Sequence, residues 1–192
     1  MIFAQKQQLR SEMLQRAKQE SDATDADHAA FLENLSKLPQ WNQASSVLLY
    51  APLASEVNLL KLLEKVGTRR FLFPRIHNQE LHLHQWIPTS SWIIGPYSIQ
   101  EPDHQEWPLV PLEEVDLALI PGLAFDREGG RLGRGKGFYD RLLGAPQWHG
   151  FKVGVAWPWQ LVSKVPRERH DVLMDTIITS EAIPPSRMAV EK

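Results

Sequence analysis

Two hydrophobic periodicities alternate along the chain, one typical of helices and the other typical of strands. Near the start, Leu9, Met13, Leu14 and Ala17 recur at helical spacing. Further on, short apolar runs bounded by proline and glycine are typical of strands. Helices are predicted over residues 3–19, from near Ser21 or Thr24 to just before Pro39, from Ser55 to Gly67, and over Phe138–Leu143. Strands are predicted over Val47–Tyr50, Phe71–Phe73 (stopped by Pro74), Glu80–Trp86, Asp116–Ile120, Phe151–Trp157 and Thr176–Thr179.

The order of these elements indicates the fold class. Strands that alternate with helices form βαβ units, and such units build a mainly parallel sheet covered on both faces. We therefore expect an α/β fold, a three-layer sandwich with a mainly parallel central sheet flanked by helices, Rossmann-like and doubly wound. Residues 87–112 are expected to form an irregular excursion, and the tail after Ile183 to be loose. Ligands in such folds bind at the carboxyl ends of the strands.

Length and composition exclude several classes of protein. The chain has 192 residues, which favours a single domain over residues 1–192. Its formal net charge is −2, whereas a nucleic-acid-binding protein usually carries a strong basic excess. Cysteine is absent, which excludes disulfides and thiolate catalysis. Because no apolar run could span a bilayer and no secretory signal begins the chain, we expect a soluble, cytoplasmic protein with neither nucleic acid nor a membrane as partner.

The most informative segment is a glycine-rich basic loop between a predicted strand and a predicted helix. It runs from Gly129 to Gly137, and its glycines would let a ligand approach the backbone closely. Free N–H groups at the start of the following helix would suit a phosphate. Arg131, Arg134 and Lys136 add three cations, and arginine can hold phosphate oxygens through two parallel hydrogen bonds. The alternative is a flexible surface hairpin whose charges are solvated.

Two familiar phosphate-binding motifs do not fit this loop. Gly130, Gly135 and Lys136 match part of the Walker A pattern, but Gly137 occupies the position of the magnesium-binding Ser or Thr. The glycine spacing also differs from the dinucleotide pattern G-x-G-x-x-G. An ordinary P-loop NTPase is therefore excluded.

Other charged residues have a functional and a structural interpretation. Asp140 follows the loop, and a carboxylate beside a phosphate cradle suits Mg²⁺, but it could equally pair with Arg141 or Arg131. Lys6 and Arg10 lie four residues apart, so they share one face of the first predicted helix. That face either is simply solvated or grips a polyanion.

The segment from Pro121 to Leu143 resembles the signature of 5-formyltetrahydrofolate cyclo-ligases, also called methenyltetrahydrofolate synthetases. It reads PGLAFD, four further residues, and then RLGRGKGFYDRLL. Other segments are similar to those of the family in order and spacing, so the resemblance spans nearly the whole chain. These are Lys6 to Arg10, Tyr50 to Val57, Phe73 to Arg75, Ile99 to Pro102 and His170 to Asp175. Phe138 stands where many members have Tyr, which removes one hydroxyl, and Asn58 where Thr is common.

The resemblance implies a role for each matching position. Arg134 and Lys136 would be catalytic, and Asp140 and Asp171 would ligate magnesium. The implied ATP-binding residues are Lys6, Arg10, Arg131, Leu132, Gly133, Arg134, Gly135, Lys136, Gly137, Phe138 and Tyr139. The implied folate-binding residues are Ala51, Glu56, Arg134, Gly135, Lys136, Gly137 and Phe138.

The resemblance also implies the reaction. ATP and Mg²⁺ would drive the conversion of 5-formyltetrahydrofolate to 5,10-methenyltetrahydrofolate, with release of ADP and phosphate, by a monomer that acts on small molecules. The formyl oxygen would attack the γ-phosphate, and N10 would trap the phosphorylated iminium. Three alternatives remain open: a kinase that uses the same loop, a module that binds RNA through it, and a relative that stores folate without turnover.

Overall fold

A computed structural model of the protein describes residues 1–20, 23–65 and 67–181, so the tail expected to be loose lies outside the described residues. The helices are α1 (Ile2–Gln19), α2 (Asp25–Ser36), α3 (Pro39–Gln43) and α4 (Phe138–Leu143). The strands are β1 (Ser46–Leu48), β2 (Arg70–His77), β3 (Glu80–Gln85), β4 (Trp92–Ile94), β5 (Gln100–Pro102), β6 (Leu109–Val110), β7 (Leu117–Ile120), β8 (Ala124–Phe125), β9 (Arg131–Leu132), β10 (Phe151–Val155) and β11 (Thr176–Ile178). Short 3₁₀ helices cover Leu60–Lys65, Pro96–Ser98, Leu112–Glu114 and Pro158–Gln160.

The central sheet has seven strands in the order β11-β10-β7-β1-β2-β3-β6. The strands from β11 to β2 run parallel to one another, and β3 and β6 extend the sheet in antiparallel order. The prediction of a mainly parallel sheet is therefore confirmed. Two short antiparallel pairs, β4 with β5 and β8 with β9, lie outside it.

Each face of the sheet has its own core. Val47 and Leu49 belong to the same buried cluster as Phe31 of α2, whereas Leu48 between them belongs to the cluster that contains Leu142 of α4. This burial on both faces explains why the parallel strands are continuously apolar. The predicted three-layer arrangement is confirmed.

The first two helices form as the sequence predicts. Met13 and Ala17 of the predicted stripe are buried, but Leu14 is exposed, so the apolar face of α1 is narrower than expected. Thr24 and Asp27 make the reciprocal hydrogen bonds of a capping box at the start of α2. Among the described residues, no helix combines the length and the apolar character that a membrane crossing requires.

The predicted helix from Ser55 to Gly67 is wrong in its first half, because only the 3₁₀ helix from Leu60 forms. The carboxylate of Glu56 accepts the N–H of Leu53, and the side chain of Asn58 accepts the N–H of Leu60, both at 3.0 Å. Such local bonds from side chain to backbone compete with a regular helix and hold the segment in turns.

Strand β2 continues through Pro74, where the sequence predicted a stop. The carbonyl of Phe71 accepts the N–H of Trp86 on the β3 side, and the carbonyl of Leu72 accepts the N–H of Leu49 on the β1 side. By alternation, the nitrogen of Pro74 faces the β1 side, beyond the end of that strand. No hydrogen-bond donor is needed there, so proline is tolerated.

Residues 87–112 contain more regular structure than the expected irregular excursion. The rings of Trp92 and Trp107 lie 4.8 and 5.9 Å from the ring of Phe73 in β2, in edge-on contact. Because these contacts fix the β4–β5 hairpin beside β2, the hairpin can form one wall of a site at this end of the sheet.

Candidate functional site

A cavity of about 640 Å³ lies at the carboxyl ends of the parallel strands. Tyr50 and Ala51, which follow β1, line it together with Pro121 and Gly122, which follow β7. The basic loop and the β4–β5 hairpin supply further walls. This is the edge of the sheet at which the sequence predicted a ligand site.

The first part of the predicted basic loop is a β-hairpin whose strands, β8 and β9, are buried rather than exposed as in the surface hairpin that the sequence left as an alternative. In its turn, the buried carboxylate of Asp126 accepts the N–H groups of Glu128 and Gly130 at 2.9 and 2.8 Å, and that of Val165 at 2.8 Å. The hairpin anchors the start of the remaining segment, Gly133–Gly137, which is called the glycine loop below.

The glycine loop lies against α1. Nε of Arg10 donates to the carbonyl oxygen of Gly133 at 3.0 Å, so this arginine supports the loop from behind. Gly135 and Gly137 have φ values of 98° and 68°, in the left-handed region that favours glycine. The loop therefore needs glycine at these two positions for its conformation.

Arg131 is the buried cation of the site. Its guanidinium donates to Asp140 at 3.1 Å and to the carbonyl oxygen of Pro121 at 3.2 Å, and lies over the ring of Tyr139. Asp140 therefore pairs with Arg131 and not with Arg141, the other partner that the sequence allowed. The Nε of Arg131 is buried without a hydrogen-bond partner in the described part of the chain.

The cations of the glycine loop are exposed instead. A guanidinium nitrogen of Arg134 lies 3.5 Å from the Glu56 carboxylate, and the ammonium of Lys136 lies 5.6 Å from the ring centre of Tyr97. Arg141 follows the loop and donates to the carbonyl oxygens of Lys136 and Gln79 at 3.0 and 2.6 Å. All three side chains line the cavity, but Arg141 is held by two hydrogen bonds whereas Arg134 and Lys136 make only the longer contacts given above.

Lys6 is buried in an ion-pair cluster, so the interpretation of its helix face as simply solvated is wrong for this residue. Its ammonium donates to Asp171 at 2.6 and 2.8 Å and to Glu168 at 2.8 Å. Burial alone would lower the pKa of Lys6, but these hydrogen bonds raise it above the ordinary value. Burial would raise the pKa of Asp171, but the N–H of Glu168 and the ammonium of Lys6 together lower it.

Four carboxylates line the same cavity as the cations, and two of them, those of Glu56 and Glu101, are not paired with Arg131 or Lys6. Burial raises the pKa of Glu56, against the opposing effects of the Leu53 N–H and Arg134. Burial also raises the pKa of the adjacent Tyr139 hydroxyl, and the charge of Glu56 raises it further. The cavity is therefore bipolar, with acceptors for N–H groups as well as cations for an anion.

The structure brings together many of the residues that the sequence singled out. Those that line the cavity are Ala51, Glu56, Arg131, Gly133, Arg134, Gly135, Lys136, Gly137, Phe138, Tyr139, Asp140 and Asp171. Lys6, Arg10 and Leu132 are not among the described lining residues; Lys6 and Arg10 contact the site from behind. Sequence reasoning missed Glu101, Tyr97 and Arg141 as lining residues. The sequence signal that covered Glu101 was the resemblance of Ile99 to Pro102 to a segment of the cyclo-ligase family, which gave this residue no role.

The described residues contain one group of three side chains spaced to hold a metal ion, namely Glu168, His170 and Asp171. Their ligand atoms lie within 4.8 Å of one another. Asp171 of this group was predicted as a magnesium ligand, and the second predicted ligand, Asp140, also lines the cavity.

Comparison with known proteins identifies relatives of the whole chain. The model of the 5-formyltetrahydrofolate cyclo-ligase family matches residues 2–180. The 5-formyltetrahydrofolate cyclo-ligase of Mycolicibacterium smegmatis is 32% identical over 183 residues, which cover 91% of this chain and 93% of the relative. The enzyme of that name from Escherichia coli is 30% identical over 148 residues, covering 73% of this chain and 80% of the relative.

A solved structure shares the fold closely. The NMR structure of Aquifex aeolicus 5,10-methenyltetrahydrofolate synthetase is 32% identical, has a TM-score of 0.83, and covers 97% of this chain and 95% of the other. The match of the family model to residues 2–180 and the identity to these relatives lead to one conclusion: this chain belongs to the 5-formyltetrahydrofolate cyclo-ligase family.

Proposed function

We propose that the protein converts 5-formyltetrahydrofolate to 5,10-methenyltetrahydrofolate with hydrolysis of ATP to ADP and phosphate. The observation that carries the proposal is the bipolar cavity, which is lined both by the cations of the glycine loop and by Glu56 and Glu101. The cations of the cavity suit a triphosphate, and its carboxylates suit a ring rich in N–H donors. Membership of the cyclo-ligase family supports the same assignment.

The glycine loop and the cations around it are proposed to bind ATP. Arg134 and Lys136 are exposed, line the cavity and are free to turn toward phosphate oxygens. Phosphoryl transfer requires in-line placement and neutralisation of charge more than a covalent nucleophile. Arg134 and Lys136 would serve as catalytic residues by stabilising the negative charge on the transferring phosphoryl group.

The reaction proposed for the substrates needs no nucleophile from the protein. The formyl oxygen attacks the γ-phosphorus, and the bond to the β-phosphate oxygen breaks to release ADP. N10 then attacks the formyl carbon and loses its proton to the solvent, and the phosphate leaves with the former formyl oxygen to give the methenyl bridge. In these steps the protein orients the two substrates, and we propose that Ala51 and Glu56 position the folate.

Asp140 and Asp171 fit the proposed magnesium site in chemistry, since Mg²⁺ prefers one or two carboxylates together with phosphate oxygens. Both carboxylates line the cavity, and both are paired with a cation, Arg131 or Lys6. A bound Mg²⁺ would neutralise phosphate charge. Arg131 and Lys6 fix the orientation of the two carboxylates toward the cavity.

Turnover by the purified protein tests the proposal. With ATP, Mg²⁺ and 5-formyltetrahydrofolate present, the near-ultraviolet absorbance of methenyltetrahydrofolate is expected to rise, and to stay flat when any one component is omitted. ATP hydrolysis that ignored the folate and depended on a sugar would instead support a kinase. Folate binding without turnover would support a storage protein, and steeply salt-dependent RNA affinity would support an RNA-binding module.

We further propose that residues 1–192 act as one cyclo-ligase domain, a cytoplasmic monomer without nucleic acid or a membrane as partner. The support is that the family model covers residues 2–180 and that the net charge of −2 does not favour a polyanion. A single species of monomer mass in analytical ultracentrifugation is the expected result.

A further inference from the structure

Glu101 is a buried acidic residue that ion pairing does not explain. Only 3% of its surface is exposed, yet no lysine or arginine in the described part of the chain forms a salt bridge with its carboxylate. One oxygen accepts the N–H of Ile76 in β2 at 3.3 Å, and the other has no hydrogen-bond donor among the described residues. The second oxygen is not among the fully buried unpaired atoms of the described residues, so it is open toward the cavity, where a ligand can reach it.

The two glutamates that line the cavity differ in how many hydrogen bonds their carboxylates accept. Glu56 accepts the N–H of Leu53 with one oxygen and has the guanidinium of Arg134 3.5 Å from the other. Glu101 has only the single backbone donor. Burial raises the pKa of both groups. Of the two, Glu101 is therefore the carboxylate with the greater unused capacity to accept a hydrogen bond.

Gly95 shapes the space that Glu101 occupies. A Cβ atom placed on Gly95 would lie 2.2 Å from Cδ and 2.4 Å from Oε2 of Glu101, which is closer than atoms can approach. The backbone of Gly95 at φ −88° needs no glycine for its conformation. The absence of a side chain at this position therefore serves to leave room for the carboxylate beside the cavity.

We propose that Glu101 is a substrate-binding residue whose free oxygen accepts a hydrogen bond from an N–H group of the reduced pterin ring. This proposal rests on the proposed function, because it takes the folate as the ligand. Glu101 lines the cavity beside Ile99 and Ile76, and the apolar groups of those residues suit the faces of a flat ring. The exposed cations of the glycine loop suit phosphates, so the N–H-rich ring is assigned to the carboxylates.

Binding of 5-formyltetrahydrofolate in the absence of ATP, measured by titration calorimetry, tests the proposal. Glu101→Gln keeps the shape of the side chain and an acceptor for the Ile76 N–H, but removes the charge and one acceptor oxygen. The expected result is an about 10- to 100-fold weaker affinity for the folate, the range for a hydrogen bond to a charged group. The affinity for ATP is expected to change less than about twofold.

Two further variants separate the position of the carboxylate from its charge. Gly95→Ala leaves the charge of the chain unchanged but displaces the Glu101 carboxylate, so it should weaken folate binding about as much as Glu101→Gln. Glu106→Gln is the matched control in the same excursion, because Glu106 is exposed and its carboxylate accepts only the N–H of Ser91. This control should bind folate as the wild type does.

Three outcomes would overturn the assignment. The first is unchanged folate affinity in Glu101→Gln while that variant keeps the wild-type melting temperature. The second is an equal loss of ATP and folate affinity, which would indicate a general disturbance of the cavity or an adenine contact. The third is a wild-type protein that binds no folate, and this outcome alone would overturn the proposed function as well.

Discussion

The cations around the cavity fall into two regions that differ in burial and in pairing. In the inner region, Arg131 and Lys6 are buried and each is bonded to an aspartate that lines the cavity. In the outer region, Arg134 and Lys136 are exposed on the glycine loop. The comparison separates two tasks. The inner cations hold the aspartates of the site, whereas the outer cations, of which Arg134 approaches the Glu56 carboxylate at 3.5 Å, are available to a ligand.

Lys136→Ala should give the largest effect and should act on turnover alone. Loss of a group that stabilises developing charge costs about 10²- to 10³-fold in rate. Because Lys136 forms no ion pair within the described residues, the melting temperature should stay the same. Steady-state rates and thermal unfolding measure both quantities. Lys164→Ala, at an exposed position that does not line the cavity, is the control and should turn over normally.

Arg131→Met should lower stability as well as turnover. Removal of one partner leaves the Asp140 carboxylate unpaired at a largely buried position, which costs about 3 kcal/mol of unfolding free energy. Urea denaturation measures this loss, and Arg127→Met at an exposed position should cost far less. A fully stable Arg131→Met variant would remove the distinction between the inner and outer regions.

By the same reasoning, Asp140→Ala should destabilise the protein in addition to stopping turnover.

Lys6→Met tests the other inner pair through its pH dependence. The folded pKa of Asp171 is lowered, so its contribution to stability is present above the unfolded pKa of about 3.9 and is lost as the pH falls through the folded value. The free energy of unfolding of the variant should be about 2 kcal/mol lower than that of the wild type near neutral pH. This loss lies between those measured for exposed and for buried ion pairs. Its deficit relative to the wild type should shrink below pH of about 4.

Lys37→Met is the matched control for that measurement, because Lys37 pairs with Glu33 at 2.6 Å on the surface of α2. Both side chains are more than half exposed, so this pair should contribute much less to stability than the Lys6 pair. Equal losses of unfolding free energy in Lys6→Met and Lys37→Met would show that burial of the Lys6 pair does not increase its contribution to stability.

Among the variants at the site that are expected to change stability, Glu56→Gln should give the smallest change, and with the opposite sign. The folded pKa of Glu56 is raised, so its contribution is fully present below the unfolded pKa and is lost as the pH rises through the folded value. The variant should therefore be as stable as the wild type or up to about 1 kcal/mol more stable at neutral pH, although its folate affinity falls. Thermal unfolding at several pH values checks this, with exposed Glu64→Gln as the control.

The sequence could predict what depends on local pattern. The sheet strands, the capping box at Thr24 and the glycine loop follow from periodicity and residue type over a few positions. The sequence could not predict that β2 continues through Pro74. A proline is tolerated there because its nitrogen lies beyond the end of the neighbouring strand β1. The same limit applies to the segment after Ser55, where side-chain bonds to the backbone compete with the helix.

Sequence reasoning did not predict parts of the site because they depend on contacts between residues that are distant in the chain. Lys6 and Asp171 are 165 positions apart, so nothing near either residue indicates that they pair. Glu101 faces the cavity because Trp92 and Trp107 pack on Phe73 and because the Ile76 N–H donates to its carboxylate, and both contacts join the hairpin to β2. Such placements arise from tertiary packing, which a motif does not encode.

Amide hydrogen exchange with and without Mg²⁺ and ATP tests most directly whether the glycine loop binds the nucleotide. The account predicts that exchange slows across Gly133–Gly137 when ATP binds, while the β9 amides of Arg131 and Leu132 exchange slowly in both states. Unchanged exchange across the glycine loop at saturating ATP would contradict it.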